Sequence, residues 1–377
     1  MGRFIEFFQR VDWMLLAAAA TLTSIGLVAI YGIGISQDPS DLFLFQKQSV
    51  TAIVGVLMIL GLMFLDYRHV RAYGFFLYAA GALMLLAVLV FGVEVNGTRG
   101  WFRLGILSFQ PVELAKIFLT AYLAALYAKR GRGRLTWTTF GMGGVATLIY
   151  ALLVLAQPDF GSAVVLVLLW GAISAFAGLP KRAWVILPLA GLVAGGLLWT
   201  VGLQPYQRDR IQTFLDPNRD PRGAGYNAIQ ARIAIGSGGV FGKGIGEGSQ
   251  ARLRFLPAAA TDFIFAVVGE EMGLVGVCFI FGLFLILLVR FVRLGYESED
   301  DFAAYLLTGL AAVLLIHLFV NAGMNLGMLP ITGIPMPFLS AAASYLLVVF
   351  ICIGIAQSVA VRRRGTVAKD AGVMLFE

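Results

Sequence analysis

The sequence predicts an all-α, polytopic membrane protein with about ten transmembrane helices and one large extracytoplasmic loop. Three observations carry that expectation. Of the 377 residues, 59% are hydrophobic and only 13% are charged, about half the charged fraction of an ordinary soluble domain. The apolar residues fall in blocks of roughly 20, the length that crosses a bilayer as a helix. One polar segment, residues 204–261, interrupts the blocks and is far longer than the few residues that usually join packed helices.

The blocks run at 13–35, 45–65, 72–93, 111–128, 136–156, 160–178, 183–203, 262–294, 302–328 and 338–361. They form a single transmembrane domain over residues 1–377, with a polar tail at 362–377. The 45 glycines suit close approach of helices in lipid, where small residues let backbones meet. The first block, Trp13 to Ile35, is too long for a signal-peptide core, so it is read as the first helix. Cys278 and Cys352 both lie in apolar blocks and offer neither a disulfide framework nor metal-ligand spacing.

Charge sets the orientation, because Lys and Arg collect on the cytoplasmic side of short loops. Placing the N-terminus inside puts Arg3, Arg10, Arg68, Arg71, Lys129, Arg130, Arg132, Arg134, Lys181, Arg182, Arg290, Arg293, Arg362, Arg363, Arg364 and Lys369 on that side. Both termini are then cytoplasmic and residues 204–261 face outward. The net charge of +7 would suggest nucleic acid in a soluble chain; here its distribution excludes that partner. Arg208, Arg210, Arg219, Arg222, Arg232, Lys243, Arg252 and Arg254 crowd the long outer segment. An anionic partner such as a lipid phosphate explains them, and so does an ordinary solvated loop.

Several segments carry candidate chemistry. Residues 236–248, GSGGVFGKGIGEG, resemble a phosphate-cradling loop but lack the Walker spacing, since Ser237 stands where the first glycine belongs and Gly244 follows Lys243. They read as a surface or re-entrant loop whose N–H groups near Lys243 are free to hold a lipid phosphate. In Gln110-Pro111-Val112-Glu113-Leu114-Ala115-Lys116, Pro111 suits a first helical position. Glu113 and Lys116, three apart, share a face as a structural ion pair or a functional one. Arg99, Trp101 and Arg103 stand just upstream. Asp159 and Asp262 each precede a helix, where a carboxylate serves as N-cap or as catalyst. Glu270 and Glu271 lie two turns deeper, and His317 reads as a lone packing residue.

Taken in order, these segments resemble the SEDS family of peptidoglycan glycosyltransferases, its RodA-like members more than its FtsW-like ones. The likeness covers residues 10–362. It rests on NGTRGWFRLGILSFQPVELAKI at 96–117, QPDFGSA at 157–163, FLDPNRDPRGAGYNAIQARIAIGSGGVFGKGIGEGSQ at 214–250, LPAAATDFIFAVVGEEMG at 256–273 and LPITGIPMPF at 329–338. Three positions depart from the family's pattern. Ala258-Ala259-Ala260 stands where polar residues, often including Glu and His, are usual. Ser340-Ala341-Ala342-Ala343 replaces Ser-Tyr-Gly-Gly, and Val112 replaces a common Ser.

The resemblance implies a bacterial inner-membrane enzyme that polymerises lipid II during cell elongation, working with the elongation machinery and a class B penicillin-binding transpeptidase. It implies that Asp262 is the essential carboxylate and that Glu113, Lys116 and Asp159 matter. Joining a sugar hydroxyl to a lipid diphosphate sugar needs a base and positive charge for the leaving group. Asp262 is the expected base. Lys116, Arg99, Arg210 and Lys243 are the candidate cations, and a divalent ion, Mg or Mn, held by carboxylates is a further option. Trp101 and Thr261 complete the expected substrate-binding set. A lipid flippase, an ion-coupled transporter and a non-catalytic scaffold for a transpeptidase are the competing readings.

Overall fold

The computed structural model describes residues 7–36, 40–95, 97–105, 107–131, 133, 135–197, 199–200, 204–217, 223–253 and 255–363. Arg3, Arg132, Arg134, Arg219, Arg222, Arg254, Arg364 and Lys369 of the charge pattern, and the tail beyond Arg363, lie outside the described residues.

The chain is a multi-pass membrane protein. It opens with α1 (Trp13–Ile35), α2 (Phe43–Phe64), the short α3 (Arg68–Ala72) and α4 (Gly74–Phe91). A small antiparallel sheet follows, made of β1 (Val93–Val95), β2 (Thr98–Leu104) and β3 (Leu107–Phe109). Then come α5 (Pro111–Ala128), α6 (Trp137–Leu155), α7 (Phe160–Phe176) and α8 (Ala183–Leu197). The segment after α8 contains α9 (Pro205–Leu215), α10 (Ala224–Gly238) and α11 (Ser249–Arg252). The chain closes with α12 (Ile264–Glu297), α13 (Asp301–Asn325) and α14 (Ala343–Arg362). Among the described residues eight helices are long and apolar enough to cross a membrane, and α7 and Ala183–Val193 are shorter apolar helices. The apolar blocks therefore sit where composition and length placed them, within a few residues.

Two features differ from expectation. The connection between α4 and α5 is a sheet, in which Trp101 pairs with Val93 and Arg103 with Ser108. Gly105, at φ 63°, lies in the tight turn that joins β2 to β3, a left-handed conformation that a residue without Cβ adopts freely. Residues 204–261 are also less of a loop than their polarity suggests. Helix α10 packs on α12 through the fully buried Ala231 and Ala234, and that tertiary contact supports a helix whose own sequence is only weakly amphipathic.

The helices alternate in direction, so the bundle has two chemically distinct ends. At one end Asp12 caps α1 through Leu15 N (3.0 Å) and receives Arg290 Nε from α12 at 2.8 Å. Arg71 pairs with Asp300 at 3.3 Å, and Arg362 Nη1 donates to Met63 O at 3.0 Å. The other end holds the sheet, α9 to α11 and the segment before α14. In the window that would span the membrane, α14 is 89% buried and α4 only 22%, so α14 is central and α4 peripheral.

Helix α12 breaks at Gly273, where φ is 64° and ψ −165°. A break in lipid would strand backbone groups without water to satisfy them. The glycine-rich segment fills the gap. Lys243 N and Gly244 N donate to the carbonyls of Glu270 and Glu271, both at 3.0 Å. In return Leu274 N and Val275 N donate to Gly239 O (3.0 Å) and Val240 O (3.1 Å). A Cβ on Gly242 would lie 2.1 Å from Glu271 O, and one on Gly273 would lie 2.3 Å from Gly242 N. Glycine is required at both positions because backbone meets backbone.

Candidate functional site

At the end away from the Asp12–Arg290 pair, a cavity of about 520 Å³ opens between the sheet, α5, α7, α9 and the segments that precede α12 and α14. Trp101, Glu113, Asp159, Arg210, Thr261 and Asp262 all line it. These residues come from five separate stretches of sequence, and the fold brings them to one place.

Asp262 lies two residues before α12. The helix N-cap is Phe263 and makes no side-chain cap bond, so the Asp262 carboxylate is not used as a cap. Its place is set through its main chain. Asn321 Nδ2 and Asn325 Nδ2, one turn apart on α13, donate to the Asp262 carbonyl at 3.0 and 3.1 Å. Asn321 Nδ2 also donates to Ile334 O at 2.8 Å. Behind the carboxylate stands Gly333, where a Cβ would lie 3.5 Å from Asp262 Oδ2. Burial raises the Asp262 carboxyl above the usual carboxylate range, and the Thr261 hydroxyl and the Arg210 charge pull it partly back. A carboxylate made more basic by its surroundings is better suited to take a proton near neutral pH.

Asp159 does cap α7, accepting from Ser162 N at 2.9 Å, and it also receives Gln110 Nε2 at 3.3 Å. It still borders the cavity. Glu113 borders it too, as the visible end of a buried group. Lys116 Nζ donates to both Glu113 oxygens, at 2.9 and 3.0 Å, and sits 3.0 Å from His317 Nε2. His317 Nδ1 is 3.3 Å from Pro335 O. A carbonyl only accepts, so the proton is assigned to Nδ1 and Nε2 accepts from the ammonium. All three ammonium hydrogens of Lys116 are thereby engaged. The Tyr345 ring covers His317 at 4.3 Å.

This geometry corrects several expectations. His317 is not alone: it completes the Glu113–Lys116 pair. Lys116 is fully buried behind Glu113 and is not among the residues that line the cavity. Arg99 donates to Gly92 O and Val90 O, at 3.0 and 3.1 Å, closing the end of α4 outside the cavity lining. Lys243 binds Glu270 at 2.7 Å and is likewise outside the lining. The N–H groups of Lys243 and Gly244 are engaged by the break in α12, and Gly246 N donates to Glu271 Oε1 at 3.0 Å. The glycine segment is a structural patch, not a phosphate cradle. Among the described residues no three His, Cys, Asp or Glu side chains form a metal-binding group.

Three lining or supporting features escaped sequence reasoning. Lys47, at the start of α2, lines the cavity. His317, Asn321 and Asn325 form a polar stripe at i, i+4 and i+8 on α13, a spacing that was visible in the sequence. Ser344 and Tyr345 close the wall from α14.

The chain is similar to known proteins over nearly its whole length. The model of the family described as cell cycle protein, covering FtsW, RodA and SpoVE, matches residues 12–365. The peptidoglycan glycosyltransferase MrdB of Escherichia coli K12 is 35% identical over 332 residues, 87% of this chain and 89% of that protein. A solved structure concerned with coordination of polymerization and crosslinking by a peptidoglycan synthase complex contains a chain that is 34% identical. It superposes with a TM-score of 0.79 over 94% of this chain and 98% of its own. The rod shape determining protein RodA of Thermus thermophilus superposes with a TM-score of 0.71 at 31% identity, over 94% and 98% of the two chains.

Proposed function

The chain belongs to the family of cell cycle proteins that includes FtsW, RodA and SpoVE, and from that premise we propose that it polymerises lipid II into glycan strands during cell elongation. It is a peptidoglycan glycosyltransferase. The observation that carries the mechanism is the convergence of Asp262, Arg210, Glu113, Asp159 and Trp101 on one cavity.

In this reading a hydroxyl of the acceptor sugar gives its proton to the Asp262 carboxylate as its oxygen attacks C1 of the donor sugar. The bond from C1 to the phosphate oxygen breaks, and the lipid diphosphate leaves with the electron pair. Direct displacement inverts the anomeric centre, so an α-linked donor gives a β-linked glycan. Arg210, whose charge already acts on Asp262, stabilises the departing diphosphate. Glu113 and Asp159 offer oxygens to sugar hydroxyls, and the Trp101 ring offers an apolar face. Lys116 and His317 hold Glu113 in place and keep it from swinging away.

Support for elongation comes from the likeness to RodA. A division role is the rival, since the family also includes FtsW. A class B transpeptidase is the expected partner, supported by the likeness to a chain of a peptidoglycan synthase complex. The distribution of Lys and Arg supports cytoplasmic termini and a cavity on the outer side. Purified protein given labelled lipid II, with and without such a transpeptidase, is expected to yield a ladder of glycan on a gel. No polymer under either condition, with lipid II transported across vesicle membranes instead, would make the chain a flippase. Rescue of division but not of rod shape in depleted cells would move it to the septum.

A further inference from the structure

Lys47 is the fifth residue of α2, and its neighbour Gln48 anchors that turn to the cavity wall by donating to Ser340 O at 2.9 Å. The Lys47 side chain is partly buried and lines the cavity beside the sheet and the segment that leads into α14. The carboxylates of the lining have partners of their own. Glu113 is held by Lys116, Asp159 by Ser162 N and Gln110, and Asp262 feels Arg210. Among the described residues no carboxylate lies within ion-pair distance of Lys47. Removing an ammonium partly from water without a counter-charge is unfavourable, so this wall is complementary to an anion that the chain does not supply.

The chemistry of the reaction says which anion. Two lipid-linked sugars meet in each turnover, and each carries a diphosphate. The donor's diphosphate is attached to the reacting carbon, so it must lie near the base. The acceptor presents a hydroxyl at the far end of its disaccharide, so its diphosphate must lie at a distance from the base. The two cations of the lining enter from different elements. Arg210 comes from α9 and its charge acts on the Asp262 carboxyl, whereas Lys47 comes from α2, beside the segment that leads into α14.

We propose that Lys47 forms a second anion subsite in the cavity, which binds the diphosphate of the lipid-linked acceptor while Arg210 serves the diphosphate that leaves. The inference rests on the glycosyltransferase reading above. Lys47 makes no contact with the reacting atoms; it is a substrate-binding residue that fixes where the acceptor begins.

The test uses the full chain in nanodiscs. Polymerisation is measured against lipid II concentration for wild type, Lys47→Gln and Lys47→Arg. Losing a charge-assisted contact is expected to raise the half-saturating concentration about tenfold or more, with turnover at saturation little changed and with Lys47→Arg close to wild type. Thermal melting checks that each variant is folded. Direct binding of fluorescent lipid II is then measured in an Asp262→Asn background with and without Lys47→Gln. That arm does not depend on turnover, so it stays informative if the catalytic reading fails. Two sites of which one is weakened by Lys47→Gln support the subsite. Equal binding in both backgrounds overturns it, and so does a fall in turnover at unchanged half-saturation. Repeating the binding in nanodiscs without anionic phospholipid separates the sources of phosphate. If the Lys47 effect disappears there, the subsite belongs to a bilayer headgroup and the proposal is overturned.

Discussion

The main-chain N–H of Ala341 donates to the carbonyl of Ala260 at 2.8 Å, so the two alanine runs that set this chain apart from its family's pattern touch each other. The contact is doubled next door, where Ser340 Oγ donates to Thr261 O at 2.7 Å and accepts from Met336 N at 2.8 Å. Together the two bonds clasp the residues just before Asp262 to the segment before α14. Ser340→Ala removes the hydroxyl, leaving the buried Met336 N–H unpaired at a cost of roughly 1–3 kcal/mol and the part-buried Thr261 carbonyl without this donor. A lower melting temperature and slower polymerisation are expected together. An unchanged melting curve would mean that water replaces the hydroxyl.

The first alanine run also offers a gain of function. Ala258 is exposed, and its carbonyl accepts from Thr261 N at 3.1 Å and Phe263 N at 3.3 Å, so a turn holds it close to Asp262. A glutamate at position 258 would add a negative charge near a carboxyl that burial already raises. A like charge raises it further. The Asp262 base is therefore expected to lose its proton at higher pH and to be stronger once it has. Ala258→Glu should shift the acid limb of the pH–rate profile upward and increase the plateau rate. A profile that superposes on wild type would show that position 258 does not communicate with the base.

Much of this architecture was legible in the sequence, for identifiable reasons. Bilayer thickness imposes a length on apolar blocks, and Pro111 and Asp159 mark helix starts by chemistry that needs no neighbour. Trp101, Glu113, Asp159, Thr261 and Asp262 lie in the motifs that carry the resemblance, and Arg210 in the basic outer segment. Contacts between distant segments were not. Nothing local in GSGGVFGKGIGEG announces that it repairs a break 30 residues later in α12. Lys47 resembles any cation flanking a membrane helix until the cavity beside it is seen. His317 read as solitary because its partner Lys116 lies 201 residues away in sequence. The helices α9 and α10 were hidden because polar composition reports exposure, and it is packing on α12 that makes α10 helical.

The buried group of Glu113, Lys116 and His317 predicts a pattern across variants. Lys116→Met strands the Glu113 carboxylate, and breaking a buried pair costs roughly 3–5 kcal/mol. The double variant Glu113→Gln with Lys116→Met removes both charges and is expected to recover most of the thermal stability. The reciprocal exchange, Glu113→Lys with Lys116→Glu, should not recover it, because a carboxylate at position 116 would face His317 Nε2, itself an acceptor. Recovery by the exchange in a thermal melt would show that His317 takes up a proton and that the tautomer assigned here is not obligatory.

Asp262→Asn separates catalysis from structure. The N-cap position belongs to Phe263, not to Asp262, and the bonds from Asn321 and Asn325 go to the main-chain carbonyl of residue 262, which the substitution keeps. Burial raises the folded carboxyl above its value in the unfolded chain, so the folded state holds the proton more tightly. The stability contributed by this group is then present at low pH and lost as pH rises through the raised value. An uncharged asparagine carries no such penalty. At neutral pH the variant is expected to melt no lower than wild type, while polymerisation falls by a factor on the order of 10²–10⁴ for loss of the base. Wild-type stability should approach that of the variant as pH is lowered, in melts followed by intrinsic tryptophan fluorescence. If the variant retained more than about a tenth of the wild-type rate, a loss too small for a missing general base, the proton would have to go elsewhere. Asp159, which borders the same cavity, would be the next carboxylate to test.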